Sequence, residues 1–172
     1  YVNTAGMLSD TYATVLRQAG FSSSRHLEHA GLYHDHVMPD LEKEGVVAFF
    51  LVDALRYEMA VELIEGLKTD FDARIMPALG CLPGITSVGM AALMPGAEKG
   101  LLFEAVQRGV DVKIENKTIT TRAQRMDWLS SKAGIPVYCT KLTDVLKPAT
   151  RRRKDYMAAK LIVVTSQEID QL

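Results

Sequence analysis

The sequence predicts an α/β layered fold, and three observations carry that expectation. Residues 46–52, VVAFFLV, are apolar at every position, the pattern of a parallel strand covered on both faces. A second apolar run, KLIVVTSQEID from Lys160, ends in polar residues as the first does. Between the two, Leu55, Met59, Leu63 and Leu67 recur every four residues, which is a helical period.

The other elements follow in chain order. Residues 4–19 read as a helix with Leu8, Tyr12, Val15, Leu16 and Ala19 near one face. FSSSRHLEHAGLYHDHVMPDLEKEG then holds a second helix between the serines and Pro39, with Gly31 as its weak point. DLEKEG interrupts the pattern, so a helical segment over 1–40 precedes a core over 41–172. After strand 46–53 and helix 55–68, FDARIMPAL reads as a strand that Pro77 ends or places at an edge. TSVGMAALM is a helix that Pro95 and Gly96 terminate. Residues 110–120, VDVKIENKTIT, form a hairpin turning near Glu115 and Lys117. Thr121 and Gln124 form a capping box, opening a helix that carries Met126, Leu129 and Ala133 inward. GIPVYCT and the run from Lys160 supply the last two strands.

Composition narrows the class. Apolar residues make up 48% and charged residues 24%, with a formal charge of −1, which fits a globular domain and disfavours a general nucleic-acid cation. No stretch approaches the roughly 18 uncharged apolar residues of a membrane span. YVNTAGMLSDTY lacks the basic and apolar regions of a signal peptide. Cys81 and Cys139 have no neighbours at metal-site spacing, and a reducing cytoplasm is the expected location. The absence of GxGxxG, a P-loop and GxSxG argues against a dinucleotide-binding fold, an ATPase and an α/β hydrolase.

Two residues carry the candidate chemistry. Asp53 follows the strand 46–52, where open α/β sheets place ligands and catalytic groups; capping the next helix is the simpler role. Thr86 and Ser87 open a short helix after CLPGI. A hydroxyl there could attack phosphorus if carboxylate-held metal activated it, or Thr86 could be an ordinary N-cap. His26, His29, His34 and His36, with Asp35, read as a zinc site or as a solvated helix face. RRRK at 151–154 reads as a solvated loop or a phosphate contact.

FLVDALRYEMAVEL together with LPGITSVGMAALMPG resembles the PglZ domain, a member of the alkaline-phosphatase-like superfamily found in BREX and Pgl phage-defence systems. The match covers residues 46–96 and extends through the arginine-bearing helix near 122–133 to IVVTSQEID. The resemblance implies a layered α/β/α core, only part of which this chain holds. It implies that Asp53 is a metal-ligating aspartate and that Thr86 is the nucleophile and also touches metal. Arg56 and Glu58 match the RYE-like part of the first block; Arg56 is then a phosphate-facing catalytic candidate, or the two form a surface pair. Gly84 stands where the family often has serine or threonine. Asp170 matches an Ile-Asp step, with Glu168 beside it. The implied cofactor is a divalent metal, zinc or else manganese or magnesium.

A two-metal site needs further aspartates and histidines. This chain has no histidine after residue 96, so the remaining ligands are expected beyond Leu172 and the chain is expected to be a fragment. The implied function is a metal-dependent phosphatase or phosphodiesterase acting on a nucleic-acid or nucleotide phosphoester alongside other defence proteins. The alternative is a non-catalytic scaffold of the defence complex. Phosphoglycerate-mutase-like members of the superfamily are a more distant possibility.

Overall fold

A computed structural model of the chain describes residues 2–20, 27–107, 109–147 and 150–170. The first helix, α1 (Val2–Ala19), buries none of its residues, so the apolar stripe of Leu8, Tyr12 and Val15 faces outward. The helix expected before Pro39 forms as a run of mixed helical turns over 29–41. A short strand β1 (Leu27–Glu28) leads into a 3-10 turn at His29–Gly31, a π-helical turn at Tyr33–Val37 and the four-residue α2 (Met38–Leu41). Gly31, the expected weak point, closes the 3-10 turn where the helical type changes, and Leu27–Glu28 before the run pair as strand. Tyr33 and Val37 are buried in the same core as Leu51.

The next elements keep their expected places, except that the strand expected over FDARIMPAL forms only at its last two residues, after Pro77, which has no N–H to pair. They are β2 (Val47–Val52), α3 (Tyr57–Leu67), β3 (Ala78–Leu79) and α4 (Thr86–Ala92). A 3-10 turn at Ala97–Lys99 precedes β4 (Leu102–Val106), β5 (Gly109–Ile114) and β6 (Lys117–Thr118). The hairpin between the last two turns at Glu115 and Asn116, both with positive φ, as a tight primed turn requires. Helix α5 (Arg122–Lys132) begins with the capping box: Thr121 accepts from the Gln124 N–H, and the Gln124 side chain accepts from the Thr121 N–H. It buries Met126 and Leu129, while Ala133 ends the helix half-buried. The chain continues through β7 (Val137–Lys141), α6 (Leu142–Val145), α7 (Thr150–Ala158) and β8 (Leu161–Ser166).

Three small sheets result. The central one is parallel with order β2-β8-β7, so the second apolar run, not the first, is its middle strand. β8 is almost wholly buried, as a parallel strand flanked on both sides should be. β2 differs from its expectation: Leu51 is buried, but Phe50 is 53% exposed, because among the described residues β2 is an edge strand. β1 and β3 pair in parallel, and β4-β5-β6 form an antiparallel meander. The core joins Leu51, Val88, Ile114, Trp128, Leu129 and Leu161. Trp128 is anchored there by its indole N–H, which donates to the Pro95 carbonyl at 2.8 Å.

This body exposes 12133 Å². A compact protein of 19.0 kDa exposes roughly 8,400 Å² by surface-to-mass scaling. The excess includes the outer faces of α1, α3 and β2, where large apolar side chains meet solvent. Among the described residues, no helix is long and apolar enough to cross a membrane.

Candidate active site at the carboxyl ends of the parallel strands

The three strands of the central sheet run in one direction, so their carboxyl ends share an edge: Val52 lies beside Ser166, and Lys141 beside Thr165. Ligands of open α/β sheets bind at such edges. Asp53 leaves β2 here, 7% exposed, its N–H bonded to the Ser166 carbonyl at 3.0 Å. Ala54 then adopts φ 58, a left-handed conformation unusual for a residue with a Cβ. That turn brings the Ala54 N–H back to Asp53 Oδ1 at 3.0 Å, which fixes the carboxylate.

Thr86 reaches the same carboxylate from a different element. The N-cap of α4 is Ile85, in extended conformation, with no side-chain capping bond. Thr86 is therefore the first helical residue and not the cap. Its Oγ1 donates to Asp53 Oδ1 at 3.4 Å.

The cleft around this pair also holds two arginines from α5, which the residue pattern alone did not single out as site residues. Arg122 Nε donates to Thr165 Oγ1 at 2.8 Å and its Nη2 to the Thr140 carbonyl at 3.3 Å. Arg125 is 8% exposed; its Nη1 donates to the carbonyls of Thr120 and Ile119. Burial pulls the Arg125 guanidinium below its usual range, the Asp53 charge raises it, and Arg122 opposes its charge again. Two guanidiniums against one carboxylate leave the cleft with an excess positive charge. Leu51, Met90 and Met126 form its apolar wall, and its free volume is about 30 Å³.

The sequence signal for the arginines lay in TRAQR. A capped helix start fixes both residues in its first turn, three positions apart and so on one face. Only the sheet order shows that this face meets Asp53.

Other candidates lie elsewhere. Arg56 is the N-cap of α3; its side chain is 75% exposed and 4.0 Å from Glu58, outside the cleft. Glu168 follows β8, where its Oε2 accepts from the Ser166 hydroxyl and from the Gln167 N–H. Asp170 is exposed in the turn beyond. His26 lies outside the described residues; His34 is exposed, and His29 and His36 are half-buried. Residues 151–154 lie in α7; the side chains of Arg151 and Arg152 lie outside the described residues, while Arg153 and Lys154 are exposed.

A buried carboxylate and a hydroxyl within 3.4 Å are oxygen donors of the kind that hold zinc, magnesium or manganese. They fit one side of a divalent-ion site. Among the described residues, no three His, Cys, Asp or Glu side chains converge as a metal-ion set would.

A family model described as the BREX system PglZ alkaline phosphatase-like domain matches residues 32–172. An alkaline phosphatase-like protein BrxZ of Escherichia coli O9:H4 (strain HS) is 39% identical over 67 residues. An alkaline phosphatase-like protein PglZ of Bacillus cereus (strain H3081.97) is 42% identical over 65. Each alignment covers 37% of this chain and only 8% of the relative, so the chain spans a small part of the curated proteins it matches.

Proposed function

This chain belongs to the family of BREX-system PglZ alkaline phosphatase-like domains, and from that premise we propose that it contributes to the reaction centre of a divalent-metal-dependent phosphoester hydrolase in phage defence. The observation that carries the reading is the meeting of Thr86, Asp53, Arg122 and Arg125 in one cleft at the carboxyl edge of the parallel sheet. It is a nucleophile candidate, a metal-ligand candidate and two anion-binding groups, drawn from three separate elements.

Thr86 attacks phosphorus through Oγ1. The threonine proton passes to solvent, the new P–O bond forms as the bond to the substrate's alcohol breaks, and the departing oxygen takes up a proton. Water then displaces the threonine oxygen, restoring the hydroxyl and releasing phosphate, or a phosphomonoester from a diester. A divalent ion, zinc first and manganese or magnesium next, would lower the hydroxyl's pKa and offset phosphoryl charge when held by Asp53, Thr86 and ligands from outside the described residues. Arg122 and Arg125 face the phosphoryl oxygens, and the carbonyls and Thr165 that hold them fix their direction before substrate arrives. Asp53 also keeps the buried Arg125 charged. The substrate is a nucleotide or nucleic-acid phosphoester, and the working partners are the other proteins of the defence system.

Asp53→Asn and Thr86→Ala in the full-length protein test this reading. Loss of phosphoester hydrolysis and of phage protection, with folding and assembly intact, supports it. Full protection by both variants would instead leave a scaffold role for the domain.

A further inference from the structure

A second cleft adjoins the first across the end of β8. Lys141, Thr143, Gln167 and Glu168 line it together with Thr165, and Thr165 and Gln167 line both clefts. Its free volume is about 150 Å³, several times that of the first. The sheet order explains the arrangement. Asp53 follows β2, Lys141 ends β7, and β8 lies between them, so the two ends are about 10 Å apart at two strand spacings.

The two clefts differ in charge. The first has two arginines and one carboxylate, while the second holds one ammonium and one carboxylate and adds two hydroxyls and an amide. A neutral total gives no preference for a second phosphate. A carboxylate instead accepts hydrogen bonds from vicinal hydroxyls, as acidic residues do for the ribose of nucleotides, while the neighbouring hydroxyl and amide groups can donate to them.

Resting on the proposed phosphoester chemistry, we infer that this second cleft is the subsite for the alcohol arm of the substrate and that it takes the sugar of a sugar phosphate, the group a nucleotide or nucleic-acid end would present. The phosphoryl group sits between Thr86 and the arginines. The sugar crosses the Thr165 wall, and its hydroxyls meet Glu168, Thr143 and Gln167. The Ser166 hydroxyl first, then backbone N–H groups and the Lys141 charge, hold the Glu168 carboxyl below its usual range, and Lys141 adds a donor at the mouth.

The test compares three probes on the full-length protein by calorimetry: inorganic phosphate, ribose 5-phosphate and a short oligonucleotide with a terminal phosphate. Two hydrogen bonds to a charged acceptor predict that ribose 5-phosphate binds about tenfold or more tightly than phosphate. Thr143→Val and Glu168→Gln should each reduce that ratio several-fold. Tighter binding of the oligonucleotide than of ribose 5-phosphate identifies a nucleic-acid end as the source of the sugar, and the reverse identifies a free nucleotide; either supports the subsite. If phosphate binds but ribose 5-phosphate binds no better, the sugar subsite is wrong and the phosphoester reading stands. If phosphate does not bind, and Arg122→Met changes nothing, both fail.

Discussion

Thr86 Oγ1 lies 3.4 Å from Asp53 Oδ1, although the two residues are 33 positions apart and belong to different elements. The separation is long for an O–H···O bond, so its net contribution to stability is below about 1 kcal/mol. Packing does not require the pair to meet. Thr86→Ala should therefore leave the melting temperature of the full-length protein nearly unchanged while lowering phosphoester turnover by about a thousandfold or more. Thr86→Ser, which keeps the oxygen, should retain most of the rate. Parallel rate and melting measurements on both variants check this.

Ala54 holds a left-handed backbone next to Asp53, at a cost of about 1–2 kcal/mol for a residue with a Cβ. Ala54→Gly removes that strain but frees the loop. Stability should rise or stay level, by up to about 1 kcal/mol, while the loosened carboxylate raises the metal concentration needed for half-activation. Denaturant unfolding and metal titration of the same variant read the two effects separately.

His29 makes stability depend on pH. Burial holds its imidazole below the usual 6.5, and its Nδ1 is buried without a hydrogen-bond partner. The unfolded chain therefore takes up the proton first. Stability is full above 6.5 and is lost as pH falls from 6.5 towards the lower folded value. The depressed carboxyls of Glu104, Glu115 and Glu168 lose their contribution as pH falls through the carboxylate range below about 4.5, under the range of the melts that follow. Thermal melts between pH 7 and pH 5.5 should slope downward for the native sequence and flatten for His29→Leu.

The excess surface makes a further prediction. Phe50, Val46, Tyr57 and Leu63 stay exposed around β2 and α3. The 172-residue chain expressed alone should bind a hydrophobic dye strongly and aggregate on warming. Replacing Phe50 and Leu63 by threonine should reduce both signals. Dye fluorescence and light scattering measure the outcome.

Local signals were the legible part of the fold. The Thr121–Gln124 capping box and the hairpin at Glu115 and Asn116 depend on a few neighbouring residues, and both form as their chemistry requires. The strand ending at Asp53 was legible from its unbroken apolar run, but its edge position was not, because strand order depends on which segments pair. The helix before Pro39 was legible as helical turns over 29–41, but its start was not, because pairing of Leu27 with Ala78 draws that part of the chain into a strand. In the site, Asp53 and Thr86 could be named from their motifs. Arg122 and Arg125 could not, since what makes them site residues is a contact between α5 and the far end of the sheet.

The most direct measurement is acid-quenched peptide mass spectrometry of the full-length, metal-loaded protein during turnover of a nucleoside phosphate. The account predicts a phosphoryl group on Thr86, absent from Thr86→Ala and accumulating when the second step is slowed by low pH. Steady turnover with Thr86 unmodified, and with Thr86→Ala equally active, would contradict it.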